Sequence, residues 1–220
     1  MSRGDDLGPD AVLITRPEPG ASETASRILA MGLTPIVAPV LEVRPVPARL
    51  PSIDQIAAIL CASGNAVDAL AAAWHGLPLL AVGAATARRA VHAGFTDVAS
   101  ADGDAEALAA LTRRRFGPGA GTLLLAAGRG QSLGLAAQLR ASGYRVARRV
   151  VYVAIQVASL PEAARAALID PQTRAVLFFS AETARHFLRL VRAAGLVETL
   201  RDRDAITIGA QAAMALEGAC

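Results

Sequence analysis

Val12-Leu13-Ile14-Thr15 is the short apolar stretch from which the fold of this 220-residue chain can be derived. A helical stretch follows it and ends near Met31-Gly32, and an extended, proline-rich run then passes through Val40-Leu41-Glu42-Val43. The order of these three stretches predicts a strand, a helix and a second strand. Each apolar run indicates a strand, and the stretch that ends in glycine indicates the helix.

The second half of the chain repeats this order. Leu123-Leu124-Leu125 is the equivalent of the first strand, and the helix after it ends at Ser142-Gly143. The equivalent of the second extended run is Val150-Val151-Tyr152-Val153. A further strand and helix recur, with the helices expected over Ala66–Trp74 and Thr183–Ala194. Because strands alternate with helices, the pattern predicts parallel sheets with helices on both faces.

Each half closes with a strand ending in glycine, at Gly83 and at Gly209, before an alanine-rich helix. One more helix is expected over residues 104–115, with Asp104 as its N-cap. Strand-to-helix turns of this kind lie at the carboxyl ends of strands, where open α/β sheets bind ligands. Their free helix amides favour anions, so a polyanion site is expected there. Six turns qualify: Thr15-Arg16, Ser63-Gly64-Asn65, Gly83–Thr86, Gly128–Ser132, Ser180–Thr183 and Gly209–Gln211.

Composition excludes several other kinds of site. The net charge is +3, and all 22 basic residues are arginine, whose planar fork grips carboxylates or phosphates. Aromatic residues are only 4% of the chain, so base stacking on a nucleic acid is not expected. The three histidines are scattered, which predicts no metal site.

The same sequence predicts a soluble cytoplasmic protein. No apolar run approaches the roughly 20 residues that span a bilayer, so no membrane partner is expected. Residues 1–10 lack the apolar core of an export signal. Cys61 and Cys220 are the only cysteines, and we expect no structural disulfide between them.

At its turns the chain resembles the uroporphyrinogen-III synthase family over nearly its whole length. Each matching segment is weakly specific, but their order and spacing together are more so. The segments are Ile14–Pro17, Ala62–Val67, Val82–Ala87, Gly128–Gly130, Val151-Tyr152, Phe178–Thr183 and Ile208-Gly209.

The resemblance implies two flavodoxin-like, parallel-sheet lobes joined by a two-stranded linker, with the active site in the cleft between them. We therefore expect lobe one, which is discontinuous, at residues 1–43 plus 155–220, and lobe two at 47–149. Residues 44–46 and 150–154 would be the linker strands. The repeat supports this division, because both crossings fall at equivalent points of the two halves.

The resemblance also implies a reaction. The family closes the linear tetrapyrrole hydroxymethylbilane into a macrocycle, inverting one ring and losing water without a cofactor, in haem biosynthesis. The chain would then be a lyase, a monomer, with this small-molecule polycarboxylate as its partner. Tyr152 matches a tyrosine that the family places at the cleft and is the candidate proton donor. The substrate-binding candidates are Arg16, Ser63, Gly64, Asn65, Thr86, Arg129, Ser180, Ala181 and Gln211.

Two departures from the family pattern concern lobe one. The family commonly has a Thr-Thr pair where this chain has Gln211-Ala212. The chain also stops at Cys220, where family members usually continue through another strand and helix. We therefore expect a lobe trimmed at its edge, or an ending that is missing.

Two alternatives stay open at this point. The first is an NADP-binding oxidoreductase domain, because Gly128-Arg129-Gly130 follows a strand and Arg148-Arg149 could contact a ribose phosphate. The second is a non-catalytic two-lobed binding or sensor protein of the same fold. Turnover of hydroxymethylbilane separates this second alternative from the enzyme.

Overall fold

The structure is a computed structural model that describes residues 10–217. Most of the N-terminal stretch discussed above, the end of the chain and Cys220 lie outside the described residues. Cys61 is a free, buried thiol, and burial raises the pKa of Cys61 to about 12. It therefore stays protonated and packs as a small apolar side chain. None of the helices in the described part combines the length and apolarity that crossing a bilayer requires.

Ten strands and eight α-helices form within residues 10–217, together with three short 3₁₀ turns. In chain order they are β1 (Ala11–Ile14), α1 (Gly20–Ala30), β2 (Thr34–Val37), β3 (Leu41–Pro45), β4 (Ile56–Cys61), α2 (Gly64–Asp68), β5 (Leu79–Ala81), α3 (Ala84–Ala93), β6 (Val98–Ser100), α4 (Ala105–Arg115), β7 (Thr122–Gly128), α5 (Leu133–Ala141), β8 (Arg145–Gln156), α6 (Glu162–Ile169), β9 (Thr173–Phe178), α7 (Ala181–Ala193), β10 (Asp204–Thr207) and α8 (Ala210–Met214).

The first sheet has four parallel strands in the order β10-β9-β1-β2. Its centre is β1, in which Leu13 lies opposite Ile36 of β2 and Val176 of β9. All four residues of β1 are buried, as expected for a strand covered on both faces.

The second sheet has six strands in the order β3-β8-β7-β4-β5-β6. The pairs from β8 to β6 are parallel, with Cys61 of β4 opposite Ala126 of β7 and Ala81 of β5. If the five parallel strands β4 to β8 are numbered 1 to 5 in chain order, their order across the sheet from β6 is 3-2-1-4-5. The order in flavodoxin is 2-1-3-4-5, so this sheet differs from the flavodoxin-like order that was expected.

The contacts divide the chain into two compact units. The first unit takes the described residues up to Glu42 and those from Ile155 onward, and contains the first sheet. The second unit is Val43–Ala154 and holds the second sheet from β4 to β7. Strands β3 and β8 both continue across the boundary.

Each sheet buries apolar side chains on both of its faces. In the second sheet, Ile59 and Leu124 pack towards α2 and α3, while Leu60 and Leu125 pack with α4 and α5. In the first sheet, one face packs against α6 and α7 and the other against α1. The predicted parallel α/β fold is thus confirmed.

The structure corrects three expectations about single elements. The helix expected over Ala66–Trp74 ends at Asp68, and a 3₁₀ turn at Ala72–Trp74 follows. Alanines bury little area, so the packing of Leu70 and Trp74 into the core decides the path of this segment. The proline-rich run splits into β2 and β3 around Pro39, which has no amide to donate. Strand β6 was not expected at all.

Candidate functional site

The turns after β1, β9 and β10 lie along one edge of the first sheet, because these strands are parallel neighbours. This edge brings together Arg16, Ser180, Ala181 and Gln211 of the predicted site. Thr15 is structural here, since its buried hydroxyl donates to the carbonyl oxygen of Leu177 at 2.7 Å.

Arg16 lies against the turn that follows β9. Its guanidinium carbon is 4.1 Å from the centroid of the Phe179 ring, and its Nη1 donates to Thr24 Oγ1 at 3.3 Å. A Cβ on Gly20 would come within 2.3 Å of Arg16 Nη2, so a larger residue there would displace the guanidinium from this position. Burial lowers the pKa of Arg16, but an arginine keeps its charge in proteins. The cation is therefore held beside the start of α7.

Ser180 caps α7. Its Oγ accepts the amide hydrogen of Thr183 at 3.1 Å and lies 2.9 Å from Thr183 Oγ1. Ala181 is the first residue of the helix. Gln211 is exposed in α8, and Ala212 beside it is buried. At the departure from the Thr-Thr pattern, therefore, only the first position faces solvent.

The second sheet brings the remaining candidates to one edge, since β8, β7, β4 and β5 are consecutive and parallel. Ser63 caps α2 by accepting the amide hydrogen of Asn65 at 3.3 Å. Arg89 of α3 packs over Gly64, where a Cβ would meet its Cδ at 2.8 Å. Arg89 also grips Asp68 through two hydrogen bonds of 2.6 Å, which ties α3 to α2.

Thr86 lies in the first turn of α3 and is only 8% exposed. The first internal bond of this helix runs from Ala87 N–H to Gly83 C=O, so the preceding amides are not used by the helix. Helix α3 has 10 residues and α2 has only 5. The dipole at Ser63 is correspondingly weaker than the one at Gly83.

Tyr152 and Arg129 meet where β7 ends. Tyr152 pairs with Gly128, and its carbonyl accepts the backbone amide of Arg129 at 3.1 Å, while the Arg129 side chain is exposed. The Tyr152 ring is 3% exposed, and its hydroxyl donates to Gln131 Oε1 at 2.6 Å. Gln131 was not predicted as a site residue, although its turn was. The available signal was a long amide side chain two positions beyond the exposed arginine.

The two arginines of β8 are engaged by backbone carbonyls. Arg148 donates to the carbonyls of Gln131 at 2.8 Å and Gly128 at 3.1 Å. Arg149 donates to the carbonyl of Arg49 at 2.9 Å. Both guanidinium groups thus have backbone acceptors within the protein, which gives the NADP alternative no support. Across residues 10–217 no group of His, Cys, Asp and Glu side chains has the arrangement of a metal site.

Comparison with known proteins finds a matching family model and solved structures of similar fold. A family model described as "Uroporphyrinogen-III synthase HemD" matches residues 22–219. A search of curated proteins finds no significant match.

Two solved structures have a similar fold. The uroporphyrinogen-III synthetase of Helicobacter pylori has a TM-score of 0.60 at 19% identity, over 96% of this chain and 88% of that one. A mutant uroporphyrinogen III synthase from the extremely thermophilic bacterium Thermus thermophilus has a TM-score of 0.52 at 23% identity, over 96% of this chain and 89% of that one.

Proposed function

Since the chain belongs to the uroporphyrinogen-III synthase family, a family of tetrapyrrole biosynthesis, we propose that it closes hydroxymethylbilane into the ring-inverted macrocycle with loss of water. The observation that carries this proposal is the family match, which runs through residues 22–219 and so includes five of the six predicted turns, all except Thr15-Arg16. The finer assignment is that of a lyase, cytoplasmic and monomeric, acting without a cofactor.

The polar edge of each sheet supports binding of a substrate with eight carboxylates. Helices α3, α5 and α7 each have at least nine residues and begin at such an edge. Each helix start favours an anion by about 0.3–1 kcal/mol. Arg16 and Arg129 add charge, and the turns of Ser63 and Gln211 add hydrogen bonds. We propose that both units hold one substrate between two lobes and use these turns.

The chemical step is removal of a hydroxyl group from the end of the bilane. Tyr152 would protonate that hydroxyl, which leaves as water, and the resulting cation is attacked by the far pyrrole ring. Holding the flexible bilane so that the inverted ring attacks is then an effect of positioning. Burial fixes the ring of Tyr152, and its hydroxyl lies at the turn that follows β7.

The experiment that tests the proposal is conversion of hydroxymethylbilane, followed by separation of the two macrocycle isomers. The bilane closes unaided to the non-inverted isomer, so buffer alone sets the baseline. We expect the protein to accelerate closure and to yield the inverted isomer. A product mixture equal to that of buffer would instead favour the non-catalytic binding or sensor protein.

A further inference from the structure

Gln131 is the side chain that meets the hydroxyl of Tyr152 in the turn between β7 and α5. The 2.6 Å contact joins Tyr152 Oη to Gln131 Oε1. Gln131 itself is exposed, so it is not held in place by a surrounding core. The backbone of the turn must therefore bring the Gln131 side chain to the tyrosine.

The turn is shaped so that Gln131 reaches Tyr152. Gly130 and Ser132, on either side of Gln131, both have left-handed backbone conformations, with φ of 74° and 58°. Arg148 fixes the backbone of Gln131 by donating to its carbonyl at 2.8 Å. A Cβ on Gly128 would lie 2.7 Å from the Tyr152 ring and 2.8 Å from Gln131 Oε1. Glycine thus leaves the space in which the two side chains meet.

A phenol has one proton, so a hydroxyl that donates to Gln131 does not donate to a substrate at the same time. The amide of Gln131 has an acceptor and a donor at its two ends, and the last torsion of a glutamine side chain rotates easily. After a half-turn of this amide, Nε2–H would donate to the phenol oxygen. The phenol proton would then be directed away from Gln131.

We propose that Gln131 is a positioning residue for the proton of Tyr152, and that its amide acts as a donor to the phenol oxygen when Tyr152 protonates the leaving hydroxyl. This inference rests on the proposed function. The proton passes from Tyr152 to the substrate hydroxyl, the C–O bond breaks, and water leaves. The amide N–H then stabilises the oxygen that has given up its proton, and Tyr152 regains a proton from solvent.

Gln131→Glu and Gln131→Met separate the donor role from simple packing. An ionised glutamate accepts but does not donate, whereas a protonated glutamate does both, and methionine does neither. At pH 8 we expect both variants to lose about tenfold or more in kcat relative to wild type, with KM little changed. Both should release more of the non-inverted isomer.

The decisive measurement is the ratio of Gln131→Glu to wild-type kcat between pH 8 and pH 4, because an exposed glutamate takes up its proton mainly below pH 5. We expect the ratio to rise as the glutamate gains a proton, while the ratio for Gln131→Met stays flat. A loss of folded protein that is the same at every pH lowers the ratio by a constant factor. It therefore does not change how the ratio depends on pH. Gln55→Glu, at an exposed position in the second unit, serves as the matched control and should behave as wild type.

Two results would overturn the inference. In one, Gln131→Glu matches wild type at every pH, which leaves Gln131 as an acceptor at most. In the other, its loss is the same at every pH, which leaves a packing role. Both differ from failure of the proposed function, in which wild type itself gives no inverted isomer.

Discussion

Tyr152 is a residue whose ring is enclosed by protein and whose oxygen has a polar contact at the turn. Its ring lies beside Gly128, and its hydroxyl donates to Gln131. Removal of that oxygen leaves the ring and its packing in place. A substitution at this position can therefore separate a chemical role from a structural one.

Tyr152→Phe should impair turnover more than folding or substrate binding. Loss of a general acid typically costs about a hundredfold to ten-thousandfold in rate. We expect the low end or less, because the hydroxyl leaves readily from an electron-rich pyrrole. The isomer ratio is the sharper measurement, and it should shift partly towards the non-inverted macrocycle.

Tyr144→Phe is the matched control for this prediction. Tyr144 is also buried, and its hydroxyl donates to the Phe116 carbonyl at 2.8 Å, in the core between the second sheet and helices α4 and α5. Its loss should cost roughly 1 kcal/mol of stability and leave the isomer ratio unchanged. If Tyr152→Phe changed neither rate nor ratio, Tyr152 would be a packing residue.

His186 is a buried histidine held by two different contacts. Its Nε2 lies 2.9 Å from the Val157 carbonyl, and its Nδ1 lies 3.2 Å from Arg189 Nη2. These partners fit the neutral ring, with hydrogen on Nε2. Burial lowers the pKa of His186 and Arg189 lowers it further, against the opposing effects of Val157 and Glu182. The folded protein therefore binds this proton less readily than the unfolded chain does.

The stability that the neutral ring contributes should decrease in acid. It is fully present above the unfolded pKa of about 6.5 and is lost as pH falls through the lower folded pKa. We expect the free energy of unfolding, measured by urea titration, to fall between pH 7.5 and pH 5. In His186→Gln, which keeps a donor and an acceptor, the fall should be smaller. An equal fall in both proteins would remove His186 as its cause.

Single residues show why sequence predicts some contacts and not others. The turns that contain Ser63 and Ser180 were predictable because a helix start is set by neighbouring residues along the chain. Gln131 was not, because its contact with Tyr152 depends on the pairing of β7 with β8. Whether the predicted side chains bind substrate stays a prediction.

Among the elements, α4 has the most complete cap. Asp104 Oδ1 accepts the amides of Glu106 and Ala107, both at 3.0 Å. Its last turn carries Arg113, Arg114 and Arg115, the sign that a helix carboxyl end favours. The cap and the charges thus stabilise both ends of a helix that packs on the second sheet.

Asp104→Ala should lower the free energy of unfolding by about 1 kcal/mol, because two amides lose their acceptor. Asp104→Asn, which keeps an acceptor at the cap, should restore most of it. Urea titration of both variants checks this. Equal stability of Asp104→Ala and wild type would mean that solvent replaces the cap.

Helices and strands whose ends depend on neighbouring residues were predictable from the sequence. Those whose ends depend on packing against other elements were not. Asp104 marked the start of α4, as expected. The break in the helix after Asp68 was missed because alanine-rich sequence gives no signal where packing interrupts it. Strand β6 was missed because its three residues are too few to show a period.

For the whole molecule, the parallel α/β class and the family follow from the sequence. The strand order does not, because it depends on which strands meet after long connections. The discontinuous lobe and its cleft remain proposals about how substrate is held. Their consequence in solution is that a polycarboxylate should stabilise the folded protein.

Uroporphyrinogen or a comparable polycarboxylate should raise the melting temperature, by an amount that grows with its concentration. The rise should shrink with added salt, since charge contributes to binding. Acetate at the same ionic strength is the control and should have little effect. An unchanged melting temperature at saturating polycarboxylate would argue against binding at the turns.

The boundary of the two units has a consequence for synthesis on the ribosome. Strand β1 pairs with β2 at once, but its other neighbour, β9, is made only after the whole of Val43–Ala154. At about 5–20 residues per second, one side of β1 waits roughly ten to thirty seconds. The second unit, Val43–Ala154, can therefore finish folding before the first unit does. During this time the N-terminal segment of the first unit needs protection from aggregation.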